Sequence, residues 1–128
     1  MGSFADFLEL EILDHVLGTG SYAAPTIYVA LYTAAPSDAG GGTEVSGGGY
    51  ARVAHSAYDG AAAGATSNTG AIQFATAASA WGSVSHFALL DATSAGNFLM
   101  WGTLSASRTI STGDTCQFAD GALDITLD

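Results

Sequence analysis

Residues 40–52, GGGTEVSGGGYAR, carry the types and spacing that most invite a chemical reading. Two glycine triplets, Gly40, Gly41, Gly42 and Gly47, Gly48, Gly49, flank a polar tetrapeptide containing Glu44, and Tyr50 and Arg52 follow. A phosphate cradle is the first candidate, and it fails. A P-loop needs G-x-x-x-x-G-K-[ST] opening a helix, and a dinucleotide loop needs a strand, G-x-G-x-x-G and a helix. Here the second triplet runs into a strand pattern, lysine is absent from the whole chain, and Glu44 would repel a phosphate. Glycines instead fit a loop that turns twice through backbone regions closed to other residues. A free linker is the competing reading, although TEVS is not the Gly/Ser composition of a flexible linker. Arg52 is expected to pair with Glu44 and pin the loop in a docking shape.

The other reactive types are scattered. His15, His55 and His86 fall on a helix and two different strand patterns, without H-x-x-x-H spacing or a cysteine pair, so isolated structural histidines are expected rather than zinc ligands. Asp114, Asp120, Asp124 and Asp128 lack the ligand spacing of a calcium loop. Cys116 alternates with Thr115 and Gln117 and reads as a small inward hydrophobe, with no basic neighbour in sequence to activate a thiolate. No G-x-S-x-G elbow occurs. The expectation is a non-enzymatic protein with no metal and no cofactor.

The elements that must hold these residues are mostly strands. Residues 3–17, SFADFLELEILDHVL, form the one expected helix, with Ser3 as its cap, Asp6 in its first turn, His15 in its last and Gly18 as its stop. Apolar residues spread around nearly its whole circumference, which suits either a subunit interface or deep burial in its own fold. Strand patterns follow at 26–33, 50–58, 71–75, 83–91, 97–104, 108–111, 114–119 and 122–127, separated by glycine-rich turns. Many short strands without crossover helices imply a mainly β antiparallel sandwich or barrel with one N-terminal α-helix. The chain is expected to be a single domain over 1–128, with helix 3–17, a β-sandwich over 26–128 and a glycine-rich loop over 36–49.

Composition narrows the partners. Twelve acids face Arg52 and Arg108 alone, a net charge of −10, which argues against nucleic acid or an anionic membrane. A salty habitat would produce the same bias. Only 11% of residues are charged, far below the usual quarter, and such a surface suits a chain covered by partners. No apolar run reaches membrane-spanning length. The N-terminus lacks the basic region of a signal peptide.

Several stretches resemble a family of small tailed-bacteriophage virion proteins: IYVALYTAAPSDAGGGTEVSGGGYARVA (27–54), SNTGAIQFATAASAWGSVSHFALLDATSAGN (67–97), LMWGTLSASRTISTGDTCQFADGALDITLD (99–128) and the N-terminal EILDHVL. Members are labelled tail fibre proteins, and some act as capsid cement or decoration proteins. The resemblance implies a jelly-roll-like β-sandwich that assembles as a homo-oligomer, a trimer, on the virion. It implies a cement role on the outer surface of the capsid, bridging copies of the major capsid protein, with a tail fibre or tail-associated component as the alternative. A third reading is a carbohydrate-binding module in which Trp81 or Trp101 stacks on a sugar, against which core packing of both stands. Expected contact residues are Phe4, Phe7, Leu8 and Tyr22 of the N-terminal region, the six loop glycines, Glu44, Tyr50 and Arg52. This chain has fewer basic residues than typical members, which favours apolar or backbone-mediated docking over salt bridges.

Overall fold

The computed structural model describes residues 2–126. It is mainly β, with antiparallel sheets and one helix. Strand β1 (Gly2–Phe4) precedes helix α1 (Asp6–Leu17). Then come β2 (Tyr28–Ala34), β3 (Thr43–Glu44), β4 (Val53–Ala54), β5 (Ala65–Ser67) and β6 (Ile72–Gln73), followed by β7 (Gly82–Leu90), β8 (Phe98–Ile110), β9 (Gln117–Phe118) and β10 (Asp124–Thr126).

The main sheet runs β1–β8–β7–β2–β3, with β4 also paired to β2. Because β7 occupies one edge of β2 from Tyr28 to Tyr32, both β3 and β4 lie along the other. Alternation in β2 and β7 sends Val29, Leu31, Phe87 and Leu89 to one face. There they meet Ile72 of β6 and Ile125 of β10 in the principal apolar cluster. The two small antiparallel ladders, β5–β10 and β6–β9, thus pack on the sheet, an arrangement compatible with the expected sandwich. The opposite face buries Ala30, Tyr32, Ala88 and Leu90, with Phe98 and Trp101 against them. Asn68, fully buried, ties the ladders' loops together: its Nδ2 donates to the carbonyls of Gly70 (2.7 Å) and Ala119 (3.0 Å), and its Oδ1 accepts from Leu123 N–H (2.8 Å).

Three sequence expectations are corrected. The helix starts at Asp6, not residue 3, because Ser3 is drawn into β1 opposite Trp101 and the cap position falls to Ala5, which makes no side-chain cap bond. Its end is as expected: Gly18 adopts φ 76°, and Thr19 and Gly20 N–H groups donate to the Asp14 carbonyl at 2.9 and 3.0 Å. The strand pattern over 50–58 yields only Val53–Ala54. The patterns at 97–104 and 108–111 are one strand, β8. Leu127, at the end of the pattern 122–127, lies outside the described residues.

Candidate functional site

The glycine loop interrupts an edge. Strands β3 and β4 flank β2 in succession; Val45 N–H still donates to the Leu31 carbonyl, and residues 46–52 then leave the ladder and return. All six glycines of the two triplets have positive φ, from 57° to 89°, which is the region that a side chain makes costly. At two of them space is also closed. A Cβ on Gly42 would sit 2.8 Å from the Ala34 carbonyl and Pro36 nitrogen, and one on Gly48 would sit 2.7 Å from Ser79 Oγ and 2.9 Å from Trp81 Nε1. The Gly48 carbonyl accepts from Ala78 N–H (2.8 Å) and Trp81 Nε1 (3.0 Å). The glycines therefore define one shape.

A polar clamp holds that shape. Arg52 Nε and Nη2 donate to the two oxygens of Glu44, both at 2.8 Å, a bidentate pair. Its remaining Nη1 donates to the carbonyls of Ala92 (2.8 Å) and Ala95 (2.9 Å) in the turn between β7 and β8. The Tyr50 hydroxyl donates to Glu44 Oε1 at 2.9 Å and accepts the Leu31 N–H at 3.0 Å. Tyr50 thus supplies the ladder acceptor that the departing backbone leaves vacant on β2, where a buried, unpaired N–H would be costly. Its ring stacks on Phe74 (6.2 Å) and meets Trp81 edge-on (5.4 Å).

The electrostatics agree with the geometry. Burial pushes the Glu44 carboxyl up, but hydrogen bonds from Arg52 and Tyr50, with the guanidinium charge, outweigh it and hold the group below its ordinary range. Hydrogen bonding to Glu44 raises Arg52 further. Burial raises the Tyr50 hydroxyl well above the usual phenol range. The Arg52 side chain is only 7% exposed, so this pair fixes the loop and is not offered to a partner. What the clamp does present is a groove of about 370 Å³ between the loop and the β7–β8 turn, bordered by Ser46, Gly47, Ala51, Thr93, Ser94 and Ala95, with the clamp residues at its base.

The expected contact residues divide accordingly. Glu44, Gly47, Tyr50 and Arg52 line the groove, but Tyr50 is half-buried with its hydroxyl engaged, not an exposed aromatic. In the helical region Leu8 is buried and Phe4 and Phe7 are half-buried, so these three face the fold. Tyr22, expected to be exposed, is half-buried and lies edge-on to Phe7 at 6.3 Å. The outward apolar side chains of α1 are Leu10, Leu13, Val16 and Leu17. Sequence reasoning expected the helix 3–17 as a contact element without singling out these four residues, and missed the turn 93–95. The helical spacing of 10, 13 and 17 was a usable signal for the former; nothing local marks the latter.

The remaining candidates are dispersed. Trp81 is buried and donates to the loop, so it offers no platform for a sugar, while Trp101 is half-buried with its Nε1 donating to Asp38 Oδ1 at 2.9 Å. His15 Nδ1 accepts from Tyr22 N–H, His55 sits 2.9 Å from the Ala57 carbonyl, and His86 is 2.7 Å from Ser85 Oγ. Among the described residues no three His, Cys, Asp or Glu gather as metal ligands. Burial is the leading influence on the Cys116 thiol and raises its pKa, which disfavours the reactive thiolate. No helix among the described residues is long and apolar enough to cross a membrane.

The polar residues Glu44, Tyr50 and Arg52 of this mainly β chain are engaged in holding the loop in shape. The class is the small virion structural proteins of tailed bacteriophages. A family model described as Podophage GP4 fiber I protein gp80 matches residues 3–126, and the chain belongs to that family. No curated protein matches it.

Proposed function

We propose that this protein is a non-enzymatic structural subunit of the phage tail fibre apparatus, docking through the rigid loop 40–52 and the groove beside it. The observation that carries this is the Arg52–Glu44–Tyr50 clamp, which fixes a glycine-rich loop that would otherwise lose its shape. A preformed surface avoids the ordering cost that weakens flexible interfaces. The fibre label of the family favours this location over the cement role expected first. The net charge of −10 suits either site outside the packaged DNA.

Cementing of major capsid protein subunits on the outside of the head is the second reading, favoured by the same acidic, lysine-free surface. Immunogold labelling of intact particles separates the two. Gold at the tail supports the fibre assignment, gold spread over the head supports cement, and absence from the particle overturns both. Filling the groove with Ser94→Trp, an exposed change, is expected to reduce incorporation into particles without lowering the melting temperature. Undiminished incorporation would refute the groove as the docking surface.

A further inference from the structure

A second cavity lies away from the loop. Along β7 and β8 the register passes from Val84 opposite Arg108 to His86 opposite Thr103, so a step of two residues on β7 faces five on β8. The extra length, residues 104–107, bulges out of the ladder, a device that re-aims side chains. Strand β1 covers β8 only from Met100 to Gly102, and beyond Gly102 the outer edge of β8 has no partner strand among the described residues. Between this stretch of β8 and the segment 116–124 the fold leaves a cavity of about 390 Å³. Its floor is apolar: Phe87 and Leu123 are buried, and Leu104 and Phe118 are half-buried. Its polar lining is Thr103, Ser105, Arg108, Gln117 and Asp124, all exposed.

The side chains of these five polar residues are unspent. After the helix, Asp38, Asp59, Asp91, Asp114 and Asp120 each accept a hydrogen bond from elsewhere in the chain, and Glu44 and Arg52 consume each other in the clamp. Among the described residues Asp124 and Arg108 are the exceptions: neither side chain has an ion-pair or hydrogen-bond partner. The two opposite charges left over in the β part of the chain therefore line one cavity without joining each other. Burial raises the Cys116 thiol and the Arg108 charge opposes that rise, which sets the guanidinium near a side chain that itself lines the cavity.

We propose that this cavity binds a small zwitterion, an α-amino acid with an aliphatic side chain: Arg108 holds its carboxylate, Asp124 its ammonium, and its side chain lies on Phe118 and Leu123. The choice follows from charge and size. A guanidinium is a planar fork of donors matched to a carboxylate, and a carboxylate accepts from an ammonium. A lone anion would face Asp124 and a net charge of −10, and a lone cation would face Arg108. A zwitterion answers both charges and is itself neutral. A neutral sugar would engage the hydroxyl and amide groups but leave the opposed charges without counterparts. The volume is at the lower end of the range of about 300–1,000 Å³ for ligand pockets, which suits one small molecule. Because both charged side chains are exposed, water screens each contact. The site shares no residue with the groove beside loop 40–52, and the proposal does not rest on the fibre reading.

NMR amide shifts of the whole chain test it, in titrations with leucine, N-acetyl-leucine, leucine methyl ester and methyl glucoside. Leucine is expected to give saturable shifts concentrated in residues 103–108 and 116–124, with a dissociation constant of about 1 mM. Blocking either end of the ligand is expected to weaken binding about fivefold, the upper value for an exposed ion pair. Arg108→Gln should bring leucine down to the level of its methyl ester, and Asp124→Asn down to that of N-acetyl-leucine. Both are exposed changes, and unchanged melting establishes that the variants fold. Absence of saturable shifts with leucine would overturn the proposal. So would a blocked form or methyl glucoside that binds as tightly as leucine, or variants that bind leucine like the wild type.

Discussion

The glycine loop and helix α1 reverse the impression their compositions give. Residues 40–52 look like a flexible tether, yet every glycine of the two triplets holds a left-handed conformation and the polar side chains close inward on Arg52. Helix α1 looks like a core element, yet four of its aliphatic residues face outward. The difference is one of satisfied groups. Glu44, Tyr50 and Arg52 of the loop find hydrogen-bond partners within the chain, whereas the helix leaves Leu10, Leu13, Val16 and Leu17 uncovered. Order therefore follows from what each segment's groups can find to contact, and glycine content or hydrophobicity alone misplaces both.

Substitutions should separate the two regions in a graded series. Gly48→Val forces a branched side chain into positive φ against Ser79 and Trp81, and is expected to cost about 3–5 kcal/mol, from backbone strain and overpacking together. Arg52→Ala strands the Glu44 carboxylate and frees the Ala92 and Ala95 carbonyls. Because Glu44 retains 25% exposure, the loss should lie at the lower end for broken buried pairs, about 3 kcal/mol in urea denaturation. Gly41→Ala, with positive φ but open space around it, should cost about 1 kcal/mol. If Gly41→Ala and Gly48→Val prove equally mild, the loop is not held in this shape.

Acid should sharpen the contrast. The folded state holds Glu44 below its ordinary value of 4.5, so its stabilisation is complete above that value. It is lost as pH falls through the lower folded-state pKa. Stability followed by urea midpoint should decline in that window for wild type and less steeply for Glu44→Gln. Parallel declines would show that the clamp contributes nothing. At the smallest end of the series, Leu17→Ser on the open helix face should leave monomer stability within about 0.5 kcal/mol.

Much of this was legible in the sequence, for physical reasons that differ by residue. The positive φ of the glycine triplets and the Glu44–Arg52 pair could be read locally, since few alternatives exist for six glycines beside one of two arginines. The strands β2 and β7 followed from alternation. What could not be read was the company each residue keeps across the fold. Ser3 joins a strand because β8 lies beside it, Tyr50 turns inward because Leu31 needs an acceptor, and Thr93–Ala95 border the groove only because Arg52 reaches them from 40 or more residues away. Asn68 reads as a turn former but holds two loops together from within the core. Which side of α1 faces outward could not be read for the same reason, since a helix wheel gives a direction only once its neighbours are known.

The most direct test of the account is backbone order in residues 40–52, measured by NMR relaxation and amide exchange in wild type and in Arg52→Ala. A loop as ordered as β2 in the wild type, released when the guanidinium is removed while β7 and β8 keep their protection, is the predicted result. A loop that is already mobile in the wild type, or one that stays equally ordered without Arg52, would contradict it.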